Sequence, residues 1–116
     1  MAEKSFPLSD RAIDLIAHRF KLLSEPMRLR LLQMLMNGEK SVNELVRATG
    51  TTQANISKHL GILADGGLIA RRKEGVTTFY HIADPSLFTL CSLVCNSLQS
   101  QGEEVLHSLQ ADNPAR

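Results

Sequence analysis

At 116 residues, with 43% hydrophobic and 22% charged residues, the chain has the size and composition of one globular domain with one core. It holds no apolar run near the length of a membrane span and no signal-peptide pattern, so a cytoplasmic protein with no membrane partner is expected, whose two cysteines start as thiols. A net charge of +1 excludes a blanket binder of polyanions.

Residues 1–8 carry no periodic pattern and read as a flexible arm. Ser9 is placed to cap a first helix, with Asp10 favourable in its first turn. Ile13, Ile16, Ala17 and Phe20 recur at helical spacing and predict a buried face; His18 lies off that stripe and reads as a surface residue. Ser24-Glu25-Pro26 breaks the pattern, because proline suits a first helical turn and restricts the residue before it. A second helix follows through Met36 and stops at Asn37-Gly38. Leu29, Leu32, Leu35 and Met36 are expected to face inward, with Leu31 near the edge and Arg28 and Arg30 on a solvated face.

The stretch from Ser41 to Asp65 reads as two short helices joined by a tight turn. Ser41 and Glu44 form an S-x-x-E capping box ahead of Leu45 and Val46. Gly50 supplies the left-handed residue that ends this helix. Thr51 or Thr52 then caps a second, from about Gln53 to Asp65, in which Ile56, Leu60 and Leu63 form one apolar stripe. Ala54, Asn55, Ser57 and Lys58 point away from that stripe or flank it, and His59 leans toward the packed side. A packed back and a hydrogen-bonding front are what a helix needs to read DNA in the major groove.

Gly66-Gly67 is a firm stop. Residues 68–75 and 76–82 then read as a β-hairpin turning at Glu74-Gly75. Its tip carries Arg71, Arg72 and Lys73, with Thr77 and Thr78 on the return strand; following a recognition helix, such a hairpin reads as a wing placed to lie along the DNA backbone or in the minor groove, against the plainer reading of a solvated edge hairpin kept soluble by charge. Asp84-Pro85 signals an N-cap followed by proline at the first position. Leu87, Leu90, Cys91, Val94, Leu98, Val105 and Leu109 then hold a helical stripe to about residue 110, and residues 111–116 read as a frayed tail. Residues 9–110 therefore form one DNA-binding and dimerisation domain. A domain this small cannot cover so long an apolar helix itself, so the last helix, with the first, is expected to meet its copy in a two-fold dimer.

Charge is uneven along this layout. Residues 40–81 set Lys40, Arg47, Lys58, Arg71, Arg72 and Lys73 against Glu44, Asp65 and Glu74, a local +3; residues 84–116 set Arg116 against Asp84, Glu103, Glu104 and Asp112, a local −3. The basic charge travels with the helix pair and the wing, as contact with phosphate requires.

This order of elements resembles the ArsR/SmtB family of bacterial repressors. The residues that carry the resemblance are Leu22-Leu-Ser-Glu-Pro-Met-Arg-Leu-Arg-Leu-Leu, Ser41-Val-Asn-Glu-Leu, Gln53-Ala-Asn-Ile-Ser-Lys-His-Leu, Gly67-Leu-Ile, Arg72-Lys-Glu-Gly and Phe79-Tyr, across about residues 12–100. The resemblance implies a mainly α fold with a small β-hairpin wing: a winged helix-turn-helix homodimer, joined through its N- and C-terminal helices, that releases double-stranded operator DNA when an inducer binds. The expected DNA contacts are Gln53, Asn55, Ser57 and Lys58, with His59 a further candidate, and Arg71, Arg72, Lys73 and Thr77 on the wing. The family's two common metal sites lack counterparts. Where one group has Cys-x-Cys before the recognition helix, this chain has Asn43-Glu-Leu-Val-Arg47. Where another has interfacial zinc ligands, it has Asp84-Pro-Ser86, then Ser97 and Ser100, and a lone carboxylate does not make a tetrahedral site.

Rival functions are a winged-helix module for protein interaction without an inducer response, and an enzyme. Against the latter, no Gly-rich phosphate loop, HExxH or GxSxG occurs, and Ser57 and His59, two apart on a helix, point about 200° apart. The remaining candidate for sensing is Cys91 with Cys95, one helical turn apart on one face. Three chemistries fit: a soft metal or metalloid completed by further ligands, a disulfide, or a polysulfide bridge. Against these stands the plain reading of two small apolar residues packed in an interface.

Overall fold

The structure, a computed structural model, describes residues 7–102. Eight elements follow in order: α1 (Asp10–Leu23), α2 (Pro26–Met36), β1 (Lys40–Ser41), α3 (Val42–Thr49), α4 (Gln53–Asp65), β2 (Ile69–Glu74), β3 (Thr77–Ile82) and α5 (Ser86–Gln101). The chain divides after Asp84 into two compact units, the second holding α5. Two expectations, that the last helix runs on to about residue 110 through Val105 and Leu109 and that residues 111–116 fray, lie outside the described residues, as does most of the arm at residues 1–8.

The helix ends follow their capping chemistry. Ser9 Oγ accepts from the Ala12 amide at 3.1 Å, and Glu25 caps α2 through the Met27 and Arg28 amides, with Pro26 in the first position. The box on α3 closes reciprocally: Glu44 N–H donates to Ser41 Oγ at 3.1 Å, and Ser41 N–H donates to Glu44 Oε1 at 2.7 Å. Gly50 ends α3 at φ +76°, and Thr52, not Thr51, caps α4. At the far end of α4, Gly67 N–H donates to Ala64 O and Leu68 N–H to Leu63 O, a Schellman closure with Gly67 at φ +79°. Gly66 matters for another reason. A Cβ there would strike Leu22 Cδ1, so a larger residue would force the Leu22 side chain to move.

In the first unit the core gathers Leu31, Leu32 and Leu35 from α2, Leu45 from α3, Ile56, Leu60 and Leu63 from α4, and Leu68, Ile69 and Tyr80 from the hairpin region. Leu31 is fully buried and Leu29 is 42% exposed, the reverse of the sequence expectation. The helix turns its 31/32/35 edge inward, a choice that α2's all-round leucines do not specify. The sheet has three strands rather than two. β1 pairs antiparallel with β3 through Lys40 opposite Tyr80 and Ser41 opposite Phe79, giving the order β1-β3-β2. The wing turns at Gly75-Val76, one residue later than expected, between Glu74 and its partner Thr77; Gly75 supplies the positive φ, +65°.

Two further expectations are corrected. Ile13, Ile16 and Phe20 are not buried in the single chain; they are 50%, 40% and 53% exposed, and the buried residues of α1 are Leu22 and Leu23. Periodicity shows that a face is meant to be covered, not which chain covers it. The N-cap of α5 is Pro85 rather than Asp84, whose Oδ2 pairs with Arg19 Nη1 at 3.2 Å. Leu87 of α5 is buried, whereas Phe88, Leu93, Val94 and Leu98 are exposed.

Candidate nucleic-acid interface

Helix α4 divides as its sequence predicts. Ile56, His59, Leu60 and Leu63 are buried, and Gln53, Ser57 and Lys58 are exposed on the opposite side. Asn55 is half-buried, and its Nδ2 donates to Thr51 Oγ1 at 3.2 Å, which sets the amide at the mouth of the α3–α4 turn. The N-terminal ends of α3 and α4 and the tip of the wing border one open cleft of about 220 Å³. Its lining includes Ser41, Asn43, Gln53, Val76, Thr77 and Thr78. The hydroxyls, amides and free helix-end N–H groups collected there suit an anionic backbone.

His59 belongs to the inner side. It is 6% exposed; its Nδ1 lies 3.3 Å from Arg28 Nη1, and its Nε2 lies 4.0 Å from Glu25 Oε1. Burial pushes its imidazole below the ordinary histidine range; Glu25 opposes the shift, and Lys58 and Arg28 reinforce it. His59 therefore lies on the packed side toward which the sequence has it lean, behind the front of the helix. Arg28 is likewise not on a solvated face. Its Nε donates to Leu22 O at 2.7 Å and its Nη2 to Lys21 O at 3.4 Å, closing the last turn of α1. Burial raises the Glu25 carboxyl, but the Arg28 and Met27 amides and the His59 and Arg28 charges outweigh it and hold the group below its usual value.

The three wing cations are not equivalent. Arg72 donates from Nε and Nη2 to both carboxylate oxygens of Glu39, at 3.0 and 2.8 Å, and from Nη1 to Glu74 at 2.8 Å; its guanidinium also lies 4.8 Å from the centroid of the Phe79 ring, directly across the hairpin. Those two carboxylates hold Arg72 charged beyond its ordinary range, and the Arg72 hydrogen bond holds Glu39 below the usual carboxylate range. Arg72 thus braces the start of β1 to the wing, a commitment that Arg71 and Lys73 do not share. Arg71 and Lys73 lie on the other face of the strand, exposed, and neither pairs with a carboxylate among the described residues.

On α5, Cys91 is half-buried and Cys95 exposed, both free thiols one turn apart. Among the described residues no group of three or more His, Cys, Asp or Glu side chains is arranged to hold a metal, and no helix is long and apolar enough to cross a membrane.

Comparison with known proteins gives a consistent set. Residues 25–71, from the cap of α2 into β2, match the model of a family described as bacterial regulatory protein, arsR family. An uncharacterized HTH-type transcriptional regulator of Mycobacterium tuberculosis is 33% identical over 111 residues, covering 92% of this chain and 97% of that protein. A probable mercury resistance operon repressor of Streptomyces lividans is 36% identical over 80 residues, 69% of this chain and only 64% of the repressor's length. Among solved structures, the homodimeric winged helix-turn-helix DNA-binding domain of a possible ArsR-family regulator from Mycobacterium bovis superposes with a TM-score of 0.70, at 33% identity and over 82% of this chain and 94% of that one.

Proposed function

The chain belongs to the arsR family of bacterial regulatory proteins, and from that premise we propose how this molecule holds operator DNA and how it lets go. It is a DNA-binding transcriptional regulator, not an enzyme, and acts as a homodimer on double-stranded operator DNA. The observation that carries the site reading is the division of α4 into a buried apolar back and a front of Gln53, Asn55, Ser57 and Lys58. Gln53 and Asn55 present amides suited to adenine edges, and Lys58 reaches guanine or phosphate. Arg71 and Lys73 of the wing, with Thr77 in the adjoining cleft, meet the backbone. Arg72 holds the wing and His59 holds the helix from behind.

The second copy covers the apolar faces of α1 and α5, where Ile13, Phe20, Val94 and Leu98 are about half exposed in the single chain. The protein works in the cytoplasm as a repressor. Its inducer acts on Cys91 and Cys95: oxidation or polysulfide bridging of these thiols, or capture of a soft metalloid with ligands from the partner, strains α5 and changes the spacing of the two recognition helices. The proximity and partial exposure of the thiols support this reading.

The test is an anisotropy titration of promoter DNA by wild type, Lys58→Ala and a Cys91→Ser/Cys95→Ser double variant. Lys58→Ala should weaken binding and flatten its salt dependence. The double variant should bind as wild type does but no longer release DNA with peroxide, polysulfide or arsenite. If an agent that releases wild type also releases the double variant, the cysteines are only packing.

A further inference from the structure

Arg28 and His59 form a part-buried polar contact that the DNA-contact reading does not use. It joins three helices. Arg28 stands in the first turn of α2, and its guanidinium closes the carbonyl end of α1 at Leu22 O and Lys21 O. The same guanidinium reaches the ring of His59 on α4 at 3.3 Å. His59 follows Lys58 directly and lies one turn after Asn55, so whatever fixes its ring fixes the roll of the helix that presents those two side chains. Along its body the helix packs through Ile56, Leu60 and Leu63, which resists separation but tolerates rotation better than a directed bond does, and at its far end the Gly66 carbonyl accepts from Arg19 Nη2 at 3.3 Å.

We propose that Arg28 and His59 are positioning residues for operator binding: their contact sets the orientation of α4 against the α1–α2 corner, and acid weakens it. The chemistry is one-sided. Arginine has only donors, so the contact exists only while His59 Nδ1 is an unprotonated acceptor with the ring proton on Nε2, toward Glu25. Protonation places an N–H against an N–H and one cation beside another. The charged groups facing the ring are Glu25 and Arg28 from the α1–α2 corner and Lys58 from α4 itself. Of these only Glu25 favours the charged ring, and its oxygen stands 4.0 Å away while also capping two amides of α2.

The inference rests on α4 being the helix that reads DNA. Arg28→Lys keeps the charge but not the fork. It should weaken operator binding about fivefold per protomer, about twenty-fivefold for the dimer, as expected for one lost hydrogen bond on each side, and should leave the salt slope unchanged. His59→Asn keeps an acceptor at the Nδ1 position that does not titrate. It should bind as wild type does at neutral pH and lose the weakening that wild type shows as the pH falls through the His59 range, which burial sets below the ordinary histidine value. Should His59→Asn fold poorly, nitrogen NMR of wild type decides: the ring must be the Nε2–H tautomer. Unchanged affinity for Arg28→Lys, an Nδ1–H tautomer, or a His59→Asn protein that keeps the wild-type pH profile would each overturn the proposal. Lys58→Ala on the same DNA separates the two readings. If it too has no effect, the assignment of α4 fails; if it weakens binding while Arg28→Lys does not, only the positioning role fails.

Discussion

Replacing the three wing cations one at a time separates charge free to meet phosphate from charge already neutralised. Each phosphate neutralised contributes about 0.9 to the slope of log affinity against log salt. Arg71 and Lys73 have no carboxylate partner among the described residues, so either alanine variant should flatten the slope by about 1.8 in a dimer with two wings. Arg72 differs. Three N–H groups are committed to Glu39 and Glu74 at 2.8–3.0 Å, and the ring of Phe79 covers one face of its guanidinium. A phosphate would have to displace a two-point carboxylate contact to gain the same ion, so Arg72→Ala should flatten the slope by less than half as much as Lys73→Ala. It should still lower affinity on every DNA sequence, because the brace is gone and two carboxylates stand uncompensated. The Glu39→Gln/Glu74→Gln protein should move the other way, freeing Arg72 and steepening the slope. The assay is fluorescence anisotropy on a labelled promoter duplex from about 50 to about 200 mM salt. If Arg72→Ala flattens the slope as much as Lys73→Ala does, the brace is not intact on DNA and the reasoning is wrong.

Other consequences follow from packing and titration. Val94→Asp or Leu98→Asp puts a charge into the proposed apolar interface, at a cost of several kcal/mol if unpaired; light scattering should show monomer, and a well-folded dimer would exclude α5 from the contact. Gly66→Ala drives a methyl group into Leu22 and should lower unfolding free energy in urea by about 1–3 kcal/mol, with part of the loss recovered in a Gly66→Ala/Leu22→Ala protein. A change of under about 0.5 kcal/mol would show that the close approach of α1 and α4 has no energetic weight. The amide of Ser41, donating to Glu44, holds that carboxyl below its ordinary value, so its stabilisation is full above the unfolded value and is lost as pH falls through the lower folded one. Glu44→Gln should therefore show a smaller fall in melting temperature between about pH 5 and pH 3 than wild type.

What the sequence disclosed, and what it hid, divides by range. Ser9, Pro26, the Ser41/Glu44 box, Gly50, Thr52 and Gly67 act within four residues of themselves, and each helix boundary they predict is where the chain bends. The back and front of α4 were legible for the same reason, since a period needs only its own helix. Strand β1 was missed because two residues carry no period, and its place beside β3 is set by partners 40 and 38 positions along the chain. The contacts of Arg72 with Glu39 and of Arg28 with His59 were not legible because those partners lie 33 and 31 residues away, where nothing local distinguishes a committed cation from a free one. One signal was available for His59: at i+3 from Ile56 it sits on the buried stripe. The apolar face of α1 was legible as a face to be covered, and its half-exposure in the single chain agrees with the expectation that the first helix joins the last at a contact with the copy.

The claim on which the account turns is that the front of α4, in a dimer, reads operator DNA. The direct measurement compares binding of wild type and of Gln53→Ala to a promoter duplex and to a base-scrambled duplex of equal length, across salt. The account predicts a wild-type preference for the promoter of at least about a thousandfold, a steep salt slope on both duplexes, and a Gln53→Ala protein that loses preference while keeping the slope. Equal binding of the two duplexes by wild type, or a preference untouched by Gln53→Ala and Lys58→Ala alike, would contradict it.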